Sequence, residues 1–209
     1  MSIIEKYEKV RKAGRTFVYT VLRACVNKKM LMESAKLLGL HLRGKEIWFD
    51  CEEETNVLMD FLVFDYKVNG KNAVQAYVET SGDQNKVENE LLDCWLSSRS
   101  SLFEVVAVSG FTLQLKDLLE KMNKTIKLVD VGISSSAVPG ALLFTRLVPI
   151  DDCYMTSGVV FAFPVGFNEY LVRRHKEISE KIKTGDDDMK RYVSFFKLSK
   201  KCGLRVTYV

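Results

Sequence analysis

Proline and histidine are scarce in this chain, with 3 and 2 copies in 209 residues, and each shortage excludes something. So few prolines leave no Pro-rich linker, and no internal repeat or low-complexity segment interrupts the sequence. His41 and His175 lie far apart, with no His, Cys or carboxylate at ligand spacing, so neither a metal centre nor any other cofactor is expected. Five cysteines (Cys25, Cys51, Cys94, Cys153, Cys202) show no C-x-x-C spacing and are odd in number. That pattern fits a reduced, cytoplasmic chain with free thiols. No run approaches the roughly 18 apolar residues of a membrane span, and MSIIEKYEKVRKAGR places charges where a secretory leader needs an apolar stretch. No membrane association is therefore expected. Phosphate-loop spacing is missing, and Ser134, Ser135 and Ser136 lack the G-x-S-x-G setting of a nucleophile elbow.

What remains is a chain able to bury a core: 47% of its residues are apolar and 28% charged. A chain of this size buries roughly 70% of its unfolded surface. Its net charge of +4 hides a segregation. Residues 1–45 carry 11 basic against 3 acidic groups, residues 46–104 carry 4 against 13, residues 105–164 balance, and residues 165–209 carry 11 against 6. Basic ends around an acidic middle either attract one another within the molecule or present positive surface to phosphate groups.

The first half reads as helical. Ser2 with Glu5 forms a capping-box pattern opening a helix to about Cys25, and a second helix covers Lys29 to Leu38, stopped at Gly39. KEIWFD reads as extended. Asp50 with Glu53 repeats the capping pattern before an apolar helix carrying Val57, Leu58, Phe61, Leu62 and Phe64. Glu52, Glu53 and Glu54 then sit in a first turn, where the helix dipole favours negative charge. Asn69-Gly70 marks a turn, Ala73 to Val78 a helical stretch, and Asn85 with Glu88 the cap of a helix to about Ser98 whose inner face is Val87, Leu91, Cys94 and Trp95.

From Ser101 the period changes. LFEVVAVSG, FTLQLKD, TIKLVDVG, ALLFTRLVPI and CYMTSGVVFAFP read as five short strands, with Phe111, Leu113 and Leu115 on one face of the second. KDLLEKMNK allows one helical turn and a loop. After Pro164 come a polar helix stopped at Gly185, a last helix opened by Asp186, Asp187 and Asp188, and a closing strand LRVTYV. The fold class is thus α+β: a helical region over 1–100, a small five-stranded β-barrel or sheet over 101–165, and C-terminal helices over 166–209 packed on the same unit. Because W-L-S-S-R-S-S-L-F-E-V leaves almost no linker, the parts should unfold together.

Residues 58–165 carry a helical F-L-V-F-D-Y stretch, the junction W-L-S-S-R-S-S-L-F-E-V, the turn L-K-D-L-L and the strand G-A-L-L-F-T-R-L-V-P. In these features the chain resembles uncharacterised bacterial proteins that often end in a cysteine-rich SEC-C metal-binding motif. The resemblance implies a helical segment leading into a small barrel and no particular activity. This chain ends in KKCGLRVTYV and has no cysteine-rich tail, so the family's metal site does not carry over.

In the G-A-L-L-F-T-R-L-V-P strand, alternation places Arg146 on one face with Leu142, Phe144 and Val148. A guanidinium in such a row must be paired. Asp117 is the expected partner and Asp130 the second choice, the alternative being an anion-binding arginine. Cys51 at a helix start is opposed by Glu52, Glu53 and Glu54, so a reactive thiolate is not expected there. These observations favour a non-enzymatic interaction or regulatory module with an unknown protein partner. Nucleic-acid binding is the alternative, because KKMLMESAKLLGL has the helix and glycine turn of a helix-turn-helix, with Lys28, Lys29, Lys36, Arg43 and Lys45 around it. Against it, HLRGKEIWFD is extended where a recognition helix should follow. An enzyme of unfamiliar type is the third reading.

Overall fold

The computed structural model describes residues 2–82, 85–120 and 124–204. The chain divides into two compact units, Met1–Ser97 with Gly185–Val193, and Ser98–Thr184 with Ser194–Val209.

In the first unit, α1 (Ile3–Cys25) opens with a reciprocal capping box: Ser2 N–H donates to Glu5 Oε2 at 2.7 Å and Glu5 N–H to Ser2 Oγ at 3.2 Å. Tyr7, Phe17 and Val21 are its buried residues. α2 (Lys28–Leu38) is capped by Asn27, whose side chain accepts from Met30 N–H, and it ends where Gly39 turns left-handed at φ 80°. The extended reading that follows is correct: β1 (His41–Arg43) and β2 (Glu46–Trp48) form an antiparallel hairpin around Gly44-Lys45, with Gly44 at φ 62°. α3 (Glu53–Phe64), α4 (Ala73–Thr80) and α5 (Lys86–Leu96) complete this part. Asn69 and Gly70, at φ 53° and 81°, turn the chain between α3 and α4 with both residues left-handed, which asparagine and glycine tolerate best. The core is aromatic. Phe17 meets Tyr77 and Trp95 with ring centroids 5.5 Å apart in each case, and Phe64 lies edge-on to Trp95.

Two local expectations differ from the structure. α3 begins at Glu53, so Glu52 and not Asp50 is its N-cap, with no side-chain cap hydrogen bond there, and the buried Glu54 accepts from Asp50 N–H at 2.8 Å. The extra turn at Cys51 and Glu52 moves the reciprocal acid one position along. Val87 is exposed and Cys94 only partly buried, so the inner face of α5 narrows to Leu91, Leu92 and Trp95. A further reciprocal capping box, Asn72 with Gln75, opens α4.

In the second unit the five strands β3 (Arg99–Ser109), β4 (Thr112–Asp117), β5 (Ile126–Val129), β6 (Leu142–Ile150) and β7 (Cys153–Phe163) close into a barrel in the order β3-β4-β5-β7-β6. All pairs are antiparallel except β5 with β7. One helical turn, α6 (Val131–Ser134), joins β5 to β6, capped by Asp130. Period-two alternation fills the interior with Phe103, Val105, Leu113, Leu115, Leu128, Leu143 and Leu147. Phe111 does not share that face; it sits in the β3–β4 turn, 51% exposed.

α7 (Asn168–Lys181) ends before the expected stop at Gly185. α8 (Asp187–Cys202) begins in the first unit and ends in the second. In the first, Tyr192 O–H donates to Val57 C=O at 3.2 Å and its ring lies 5.3 Å from Phe61. In the second, Phe195 stacks on Phe144 of the outer barrel wall at 4.3 Å, an arrangement worth about 0.5–1.5 kcal/mol beyond its buried area. His175 stacks on Phe195 at 4.9 Å with Nδ1 2.7 Å from Ser194 Oγ, so it serves helix packing. Leu204 bridges to Ala162; residues 205–209 of the expected closing strand, and 121–123 of the loop after β4, lie outside the described residues.

Candidate functional site: a groove in the helical unit

The arginine of β6 and the acid of β4 are both buried, at 6% and 3% exposure, but they do not pair. Asp117 Oδ2 takes Arg99 Nη1 at 2.6 Å, while Oδ1 accepts from Ser101 Oγ at 2.6 Å and from the N–H groups of Leu119 and Glu120 at 3.0 and 3.1 Å. The register explains the exchange. Arg146 lies opposite Ser100 of β3, and β7 bulges away from it between Val160 and Thr156, a detour in which Gly158 adopts φ 117°. Nη1 of Arg146 therefore points towards Ser98 Oγ, a long 3.5 Å contact. Asp130, the second choice, uses Oδ1 to cap α6 and Oδ2 to accept from Thr156 Oγ1 at 2.8 Å. These acids tie turns to the barrel wall.

The five basic candidates also separate. α2 is followed by β1, so no recognition helix forms. Lys29 and Lys36 fall within about 20° of each other around α2, and Lys28 about 100° from Lys29. Lys29 lies 4.0 Å from Glu33, whose other oxygen accepts from Tyr66 O–H at 2.6 Å. Arg43 stacks on Trp48 with its guanidinium carbon 4.0 Å from the ring centroid.

Lys28 and Lys45, by contrast, meet at one feature: an open groove of about 270 Å³ lined also by Leu31, Met32, Ile47, Phe49, Thr55, Leu58 and Met59. Each element contributes at its own period. α2 supplies 28, 31 and 32, the hairpin 45 and 47, the stretch just after it 49, and α3 supplies 55, 58 and 59. The walls are almost wholly apolar. Thr55 is the only lining residue besides the two lysines with a polar side-chain group, and two methionines make the floor adaptable. Nearby, burial first and then the Glu53 carboxylate push the Cys51 thiol above its ordinary pKa, as expected of a thiol beside acids. Leu58 reads in the sequence as part of the apolar face of α3, and the other apolar lining residues carry no motif. Their one signal was the alternation of Ile47 and Phe49 beside two methionines at helix positions.

A second surface follows from barrel topology. A closed five-stranded barrel in this order, with a helical turn between its third and fourth strands, has the connectivity of an OB-fold, whose second and third strands commonly face ligands. Here that face shows Gln114, Lys116 and Lys127. Lys116 lies opposite Glu104 and Lys127 is 3.7 Å from Asp152, so the face is nearly neutral. Among the described residues no cluster of three His, Cys, Asp or Glu could hold a metal.

Fold and site thus define an α+β protein with a helical unit that carries an apolar groove and a second unit built on an OB-type barrel. The chain belongs to DUF7986, a family of unknown function that matches it over residues 1–209. No curated protein and no solved structure matches the chain.

Proposed function

We propose that this protein is a non-enzymatic interaction module that holds a segment of a partner protein in the groove between α2, the β1–β2 hairpin and α3. The observation that carries this reading is the lining itself: an open apolar floor with no carboxylate, histidine or cysteine to act as base or nucleophile. Five cysteines that form no disulfide among the described residues support a cytoplasmic setting, and no helix among the described residues is long and apolar enough to cross a membrane. The shared F-L-V-F-D-Y, L-K-D-L-L and R-L-V-P features support a relationship to SEC-C-motif proteins as part of the same proposal.

Nucleic-acid binding is the second reading, favoured by the OB-type strand order together with the basic groups of α2 and the hairpin. A photo-crosslinking residue at Phe49, which lines the groove and is 38% exposed, separates the two. Val165, 58% exposed in the other unit, is the control position. In native lysate, protein adducts at 49 that survive nuclease are expected. Adducts abolished by nuclease would transfer the argument to the second reading, and none above the Val165 control would refute the groove's role.

A further inference from the structure

We infer that the groove selects a partner segment in which a large apolar side chain is bracketed by acidic residues. This rests on the interaction reading above and adds the chemistry of the partner. Volume sets the first limit. At about 270 Å³ the groove falls below the roughly 300–1,000 Å³ of small-molecule sites. It is also open, so it suits one or two side chains of a bound chain rather than an enclosed cofactor.

Charge sets the second limit. Lys28 stands at the start of α2 and Lys45 at the tip of the hairpin turn, both exposed and both lining the groove. Neither has an ion-pair partner among the described residues, whereas Lys29 lies near Glu33 and Arg43 stacks on Trp48. A segment laid along the floor brings its flanking side chains towards these two ammonium groups. Carboxylates there gain charge-assisted hydrogen bonds, while lysines there meet like charge. A nucleic-acid strand would satisfy the ammonium groups, but its bases stack on aromatic faces, of which the lining offers one, Phe49; the aliphatic and methionine side chains around it match the apolar side chain of a peptide better.

The test uses the full chain and three pools of labelled peptides of about a dozen residues. One pool has a randomised Leu, Ile, Phe and Met core with Asp/Glu flanks, the second has the same core with Lys flanks, and the third has a Ser core with Asp/Glu flanks. Retention on the immobilised protein is measured at about 50 and 150 mM salt. The acid-flanked apolar pool is expected to be retained about tenfold better than either other pool at the lower salt. In the double variant Lys28→Glu/Lys45→Glu the preference should reverse towards the Lys-flanked pool, a gain that misfolding cannot produce. Both positions are exposed, and circular dichroism verifies the fold.

Equal retention of both apolar pools, equal retention of the Ser-core pool, no retention of any pool, or no reversal would each overturn the inference. If Phe49 still crosslinks to proteins in lysate under any of those outcomes, the interaction reading stands and only the acidic-apolar chemistry falls. If it does not, both fall.

Discussion

Replacing Asp117 with alanine tests what holds the exit of β4. The carboxylate is completely buried and accepts four hydrogen bonds, three of them on Oδ1 from Ser101 Oγ and the N–H groups of Leu119 and Glu120. The fourth, on Oδ2, comes from Arg99, which is 31% exposed and also lies 3.2 Å from the half-exposed Glu120. Alanine leaves a hydroxyl and two N–H groups without their acceptor. Hydrogen bonds to a charged group contribute about 1.5–3 kcal/mol each, without additivity. The solvent-screened guanidinium contributes under about 1 kcal/mol. Loss of one member of a buried charged cluster costs about 3–5 kcal/mol, which for a chain of this length corresponds to roughly 6–20 °C in Tm. Asp117→Asn can keep an acceptor at the Oδ1 position and turns an amide towards Arg99, so about half of that loss is expected. Arg99→Met removes the screened contacts to Asp117 and Glu120 and the guanidinium over Phe103, about 1 kcal/mol. Trp48 and Trp95 both lie in the first unit, so unfolding in urea should be followed by circular dichroism rather than tryptophan fluorescence. If Arg99→Met costs as much as Asp117→Ala, the ion pair and not the backbone bonds holds the turn. An alanine variant within about 1 kcal/mol of the parent would refute the whole account.

Acid stability should depend on Asp186. Burial opposes its charge, but hydrogen bonds from Lys67 and from Met189 N–H outweigh that and hold its pKa below the usual carboxylate value. Its contribution is therefore complete above the unfolded pKa, near 4, and is lost as pH falls through the lower folded value, so Asp186→Asn should flatten the acid limb of a stability–pH curve; an unchanged limb refutes this. Burial first, and then Glu33, raise the Tyr66 phenol to about 12. The assigned Tyr66 ring resonance, followed by NMR in Glu33→Gln, should show this midpoint moving down towards the ordinary value near 10, and no movement would deny the contact its role. Arg146→Ala should lower Tm more than Arg146→Met, since methionine restores packing volume in a site that is 6% exposed. Equal Tm for both variants and the parent would show the side chain to be dispensable there.

What the sequence made legible was local. The Ser2–Glu5 box, the Gly39 stop, the Asn69-Gly70 turn and all five strands depend on neighbours a few residues apart, where composition and period suffice. Register is not local. Alternation put Arg146 correctly in a row with Phe144, but could not show that this row is the outer wall of the barrel. Nor could it show that the β3 pairing sets Ser100 opposite Arg146 while Arg99 reaches Asp117. Those facts follow from contacts between strands made across 46 residues, between Ser100 and Arg146, and across 18, between Arg99 and Asp117, and from a bulge at Gly158 that no two-residue period anticipates. The basic stretch teaches the same lesson about function. Density of charge along a chain becomes a surface only where the element's period brings the groups to one face. α2 turns Lys28 away from Lys29 and Lys36, and Trp48 engages Arg43. The hairpin then carries Lys45 round to Lys28, so the juxtaposition available for recognition is made by two residues 17 positions apart and by the apolar floor they share.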